Sequence, residues 1–255
     1  MIGKPLALIA VAVILASGAD ADAQGGMYQD FVGHQGHEMN LNLIIPQVAV
    51  GMNYQTTLVM HNLGNMEHMW WVAPQDLTTT GRIFLFKQDG SPMSASINGG
   101  LPASEMTFSL DPFSTMSLEL TSEGPTVSGW CLIEVDDFEF GSSWGMMDGV
   151  DMIRGRRIMA NVIYTYENGN TLSMVATHPN MYEMGYYSRS LLPVQNQNEL
   201  HTGFAMVNIS SQDATVELRL WDRYGQLNSM QTVSLHAGQQ IAQYVHNRFE
   251  GVRHK

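Results

Sequence analysis

The chain has 255 residues, 12 Lys+Arg against 24 Asp+Glu, and a formal net charge of -12. That balance excludes the basic footprint on which nucleic-acid binding depends and disfavours an anionic membrane surface. The 44% hydrophobic content is enough for packed cores and excludes wholesale disorder, and a single cysteine excludes an internal disulfide.

Residues 1–23 read as a secretory signal peptide. Lys4 gives the positive start, "LALIAVAVILA" is an apolar run too short for a comfortable membrane span, and Ala21-Asp22-Ala23 has the small-x-small form of a cleavage site. The expectation is a secreted protein, extracellular or periplasmic, with no membrane span once the leader is removed. Residues 24–42 carry no strand or helix periodicity and read as a flexible arm.

From residue 43 the pattern is β. "LNLIIPQVAVG" predicts a first strand with Pro46 as its bend, and "YQTTLVMHN" a second. "GRIFLFKQDGSP" is a third, closed by the Asp89-Gly90 turn. "MTFSLDPFSTMSLELTS" alternates around Pro112. "SGWCLIEVDDFEF" alternates again and sets Cys131 on one side with Ile133 and Val135, where a buried, inert thiol is expected. "RIMANVIYTYENGNTLSMVAT" predicts a hairpin over Asn168-Gly169. Helix signals are nearly absent; "HAGQQIAQYVHNRF" is the one candidate.

The later part of the chain repeats the earlier part. Residues 191–249 align with residues 44–120: "LLP" on "IIP", "TGFAMVN" on "TTLVMHN", "LRLWDRYG" on "IFLFKQDG", and "VSLHAGQQI" on "FSLDPFSTM". On that alignment "HAGQQIAQ" begins as strand. The boundaries are a first β-sandwich at 43–180, a second, shorter module at 181–250 and a polar tail at 251–255. The first copy continues into a "GW" strand and a hairpin that the second lacks. A sandwich without its last strands leaves an unpaired edge. It is completed by a longer chain, by segment 155–177 serving the second module rather than the first in one composite fold, or by a strand from another subunit.

Two insertions interrupt the first copy, at residues 63–80 and 141–157, and loops grafted on a rigid sandwich are where binding function resides. Trp70, Trp71, Trp144, Tyr186 and Tyr187 fall in such stretches, and aromatic side chains there can stack on sugars or anchor a protein partner. The same residues could instead cap the sandwich ends. The chain has 19 methionines. His34, His37, Met66, His68 and Met69 offer imidazole and thioether ligands of the kind that suit copper. Against that, Met60, Met106, Met116, Met159, Met174 and Met206 lie at apolar strand positions and read as core filling. No Gly-x-Ser-x-Gly elbow, HExxH or phosphate loop occurs. No catalytic residue and no obligate cofactor is therefore expected.

The ordered set "IPQVAVG", "TTLVMHN", "GRIFLFKQDGSP", "FSLDPFSTMSLEL", "GWCLIEV" and "TYENGN", followed by "LLPVQ", "TGFAMVN", "LRLWDRYG" and "VSLHAGQQIAQY", resembles secreted bacterial tandem β-sandwich proteins of the immunoglobulin-like kind over about residues 43–250. The resemblance implies two consecutive antiparallel modules, the second short or incomplete, and a structural or binding role with no catalytic residues. The absent closing strands of the second copy depart from that pattern. The expected function is an exported, non-catalytic module that contacts protein or glycan at the cell exterior, with homo-oligomer or filament formation by strand addition. A periplasmic copper-binding protein is the alternative, and a secreted hydrolase ranks below both.

Overall fold

The computed structural model describes residues 7–9, 41–52, 54–62, 78–136, 158–166, 170–176, 194 and 201–249. The described chain is nearly all β. In order, the strands are β1 (Ala7–Ile9), β2 (Leu41–Val50), β3 (Tyr54–Asn62), β4 (Thr79–Lys87), β5 (Ala95–Ile97), β6 (Pro102–Ala103), β7 (Glu105–Leu110), β8 (Thr115–Thr121), β9 (Val127–Val135), β10 (Ile158–Tyr166), β11 (Asn170–Ala176), β12 (His201–Val207), β13 (Ala214–Trp221), β14 (Leu227–Leu235) and β15 (Gln240–Tyr244). One short helix, α1 (Val245–Arg248), follows. The named strand pairings are antiparallel except that of β1 with β12.

The larger sheet pair sets a four-stranded sheet, β2-β9-β4-β7, against a six-stranded one, β11-β10-β3-β8-β5-β6. Period-2 alternation builds the core between them. Leu58 and Met60 of β3 and Leu118 and Leu120 of β8 meet Ile83 and Leu85 of β4 and Cys131, Ile133 and Val135 of β9. The expected side for Cys131 is therefore the core side. Burial pushes its thiol pKa well up. The methionines divide: Met60 and Met206 are fully buried and Met106 and Met116 pack on the first core, but Met159 is 36% exposed and does not fill it.

Two glycines let β9 and β4 approach each other. A Cβ on Gly129 would lie 1.8 Å from the Phe86 carbonyl oxygen, and one on Gly81 would lie 2.1 Å from that of Glu134. Pro46 has no N–H to give the ladder, and the β2–β9 register shifts between Ile45 and Val48. The Asp89-Gly90 turn forms as expected, with Gly90 at φ +83° and its N–H donating to the Lys87 carbonyl at 3.0 Å. The β10–β11 hairpin also forms, closing on the Tyr166–Asn170 pair; Asn168 and Gly169 lie outside the described residues. The short strands β5 and β6 have no counterpart in the sequence expectation. Asn98 and Gly99, both at positive φ, turn the chain so that β6 folds back on β5, which itself lies along the edge of β8.

The smaller sheet pair has β13 and β14 on one side and the order β1-β12-β15 on the other. Phe204, Met206, Val216, Val233, Leu235, Val245 and Phe249 form its core. The one helix candidate, "HAGQQIAQYVHNRF", begins as strand, as the repeat leads one to expect, with β15, and ends in α1.

Bond by bond, the smaller pair repeats part of the larger. Thr79 pairs with Leu110 as Ala214 pairs with Leu235. Gly225 sits at φ +77° and donates to Asp222, as Gly90 does to Lys87. The Asn62 N–H donates to Ser114 O at 3.0 Å, and the Asn208 N–H donates to Gln239 O at 2.9 Å. Both asparagine side chains are buried, and each donates to the carbonyl of the corresponding leucine, Leu110 or Leu235.

Candidate functional site

Two features distinguish the described surface: a seam joining the sheet pairs, and exposed edges and ends that the seam leaves over. The seam follows from the β9 sequence. "WCLIEV" is apolar on both faces, the pattern of a strand covered on both sides. Cys131, Ile133 and Val135 face the larger core, while Trp130 and Leu132 join Ile44, Phe84, Phe86, Val207 and Ile209 in a second cluster. Val207 and Ile209 come from the smaller pair, so this cluster lies between the two. Phe86 stacks on Trp130 with ring centroids 4.3 Å apart.

Polar bonds fix the seam. Trp130 Nε1 donates to the Gly238 carbonyl at 3.1 Å. The Gln240 backbone N–H donates to Gln88 O at 2.8 Å, and Gln240 Nε2 donates to Pro46 O at 2.8 Å and to Gln47 Oε1 at 2.5 Å. The irregular register at Pro46 is what frees that carbonyl for Gln240. The neighbouring Gln47 carbonyl accepts the Tyr164 hydroxyl. Burial, and next the nearby Cys131, push the Tyr164 pKa well up. The Gly90 turn lies against Gly238: a Cβ on Gly90 would meet the Gly238 carbonyl oxygen at 3.1 Å. Beside the seam is an open depression of about 370 Å³ lined by Gln88, Asp89, Gln239, Gln240, Ile241, Ala242 and Gln243. Its wall is mostly amide, and it lacks the apolar lining of a small-molecule site.

The strand edges differ between the pairs. β3 lies between β8 and β10, and β12 lies between β15 and β1. The place that a nine-residue antiparallel strand fills on β3 is thus held on β12 by three parallel residues, Ala7, Leu8 and Ile9, in register with His201, Thr202 and Gly203. β4 lies between β7 and β9, whereas β13 pairs only with β14 among the described residues.

The ends also differ. Trp221 is 47% exposed, Tyr224 is 72% exposed, and Leu227 and Met230 are also open, all around the Gly225 turn. The Arg223 guanidinium lies 4.7 Å from the Tyr224 ring centroid. At the far end of the larger pair, Phe113 is 76% exposed at φ +58°.

The contact residues expected from sequence, Trp70, Trp71, Trp144, Tyr186 and Tyr187, all lie outside the described residues. So do the ligand candidates His34, His37, Met66, His68 and Met69. Among the described residues no group of three or more His, Cys, Asp or Glu is placed to hold a metal ion, and no helix is long and apolar enough to cross a membrane. Sequence reasoning missed Phe113, Trp221 and Tyr224. The available signal was an aromatic on the otherwise polar face of "ATVELRLW" and another beside each turn.

No protein-family model, curated protein or solved structure matches the chain.

Proposed function

We propose that the chain is an exported, non-catalytic structural or binding protein. On this reading it is built from two immunoglobulin-like β-sandwich modules, makes protein or glycan contacts at the cell exterior, and completes its shorter second module by β-strand addition. The observation that carries this is the occupant of the β12 edge. In the larger pair the equivalent edge of β3 is covered by β10, the next strand pair along the chain. On β12 the cover is Ala7, Leu8 and Ile9, from the other end of the sequence. An edge that takes a remote strand through backbone bonds is the physical basis of strand addition.

Residues 7–9 fall inside the stretch read as a leader. Its removal on export opens the β12 edge to a strand from a second copy or from a partner, and the leader then holds the edge closed until that point. Sedimentation velocity on the chain lacking residues 1–23, over a wide concentration range, tests this. Growth in mass with concentration is expected. A monomer at every concentration overturns the self-assembly reading.

A further inference from the structure

We infer that the Gly225 turn, with Trp221 and Tyr224, docks end-on against the Phe113 end of a second copy of this chain, repeating between copies the turn-on-turn part of the seam that joins the two sheet pairs within one. This rests on the self-assembly part of the proposed function but uses a different surface from the β12 edge.

The seam is heterologous: one kind of surface on the larger pair meets another kind on the smaller. The larger pair contributes Phe86, Gln88 and the Gly90 turn of one strand, with Trp130, Leu132, Pro46 and Gln47 beside them. The smaller pair contributes Val207, Gly238 and Gln240. The β9 part of this surface has no counterpart on the smaller pair, but the Phe86–Gly90 part and the Gly238–Gln240 part each have one on the other pair through the repeat. Phe86 and Trp221 both stand four residues before a positive-φ turn glycine, Gly90 and Gly225. Gly238 and Phe113 both stand three residues after the leucine that receives the asparagine bond, and both have positive φ, +71° and +58°. Gln240 and Thr115 both open the strand that follows.

Both counterparts are uncovered. Where Phe86 is packed on Trp130, Trp221 is 47% exposed. Where Gly238 is buried under the Gly90 turn, Phe113 is 76% exposed. A Cβ on Gly225 would meet nothing within 4 Å. Among the described residues, the smaller pair therefore carries an unused donor end, and the larger pair carries an unused acceptor end. Large aromatics stand at both, and such residues anchor interfaces when desolvated. Charge agrees: Arg223 is at the turn, and the exposed carboxylate of Asp111 is two residues before Phe113. The occupant is a second copy because the chain itself carries both complementary ends, aromatic and oppositely charged. A heterologous contact whose rotation does not close produces an open filament.

The full chain, in which Ala7, Leu8 and Ile9 already cover β12, is the material for the test. Trp221→Ser removes the donor end, and Phe113→Asn removes the acceptor end while keeping a residue that tolerates positive φ. Circular dichroism checks that both fold. Light scattering should show concentration-dependent growth for the unsubstituted chain. Each variant alone should lose association by about tenfold or more, the scale for losing an anchoring aromatic. Trp221→Ser retains an intact Phe113 end and Phe113→Asn an intact turn. An equimolar mixture should therefore form dimers and stop there. Full-chain association that either variant leaves unchanged, or a mixture with no dimer, overturns the inference. Neither result touches strand addition, which is read on the leaderless chain. A full chain that is monomeric throughout also overturns it.

Discussion

Trp130 of the larger sheet pair donates its indole N–H to the carbonyl of Gly238 in the smaller one, 3.1 Å away and 108 positions on in sequence. The bond ties β9, whose two faces are both buried, to the turn that precedes β15. The two sheet pairs thus share a packed apolar cluster and a backbone-level contact, so their relative placement is held by more than a linker.

Trp130→Phe should keep the stack on Phe86 but leave the Gly238 carbonyl without its donor. Leaving a buried acceptor unsatisfied costs about 1–3 kcal/mol. Denaturant unfolding should show a lower midpoint by that amount, and an unchanged midpoint would mean that the seam bond contributes nothing.

Asn62 and Asn208 hold equivalent strand ends. Asn62 Nδ2 donates to Leu110 O at 3.0 Å and to Thr79 Oγ1 at 3.2 Å. Asn208 Nδ2 donates to the carbonyls of Leu235, Gln212 and His236 at 3.1, 2.7 and 3.2 Å. Substituting alanine should cost about 1–3 kcal/mol at either site. Aspartate should cost more than alanine, because an ionised carboxylate can only accept and would face other acceptors. Equilibrium unfolding of the four variants checks the order.

Gly129→Ala should be among the most damaging single changes. The new methyl group would overlap the Phe86 carbonyl, and backbone cannot move aside as a flexible side chain can. A loss of about 3 kcal/mol or more is expected from overpacking between two central strands. Gly225→Ala meets no atoms, and its cost should be confined to the positive φ. Thermal melts of the pair separate steric from conformational cost.

Alkaline pH should destabilise the fold. Burial raises the pKa of the Cys131 thiol and the Tyr164 phenol. Each group ionises in the unfolded chain before it does in the folded one. The unfolded state then binds fewer protons, so stability falls as pH rises. The contribution is complete below the unfolded thiol value near 8.5 and declines above it, joined by the phenol above about 10, at about 1.4 kcal/mol per pH unit per group. Unfolding free energy measured from neutral to alkaline pH should slope downward, and Cys131→Ala should remove the first part of the slope. Thiol-reactive dye should label Cys131 only on unfolding.

Much of the β architecture is legible locally. Alternation locates β3, β4, β7 and β8, and turn chemistry locates Gly90 and Gly225. The aligned asparagines and leucines foretell the shared hydrogen bonds. What escapes is decided at a distance. Trp130 and Leu132 look like the outer face of a half-buried strand until a second sheet pair covers them. Met159 looks like core because its neighbours are apolar, yet it points outward from β10. Phe113 and Trp221 carry only a slight local sign of exposure, a place beside a turn and a place on the polar face of β13. The aromatic and His/Met stretches that looked most functional in the sequence lie outside the described residues.

The strand that β12 accepts is the centre of the proposed assembly, and hydrogen exchange reads it directly. His201, Thr202 and Gly203 pair with Ala7, Leu8 and Ile9, while residues 203–207 pair with β15. In the full chain, Leu8→Pro removes a backbone donor opposite Thr202. Exchange should become faster at His201 and Thr202, with protection retained at Met206 and Val207. Unchanged exchange at His201 and Thr202 would contradict that pairing.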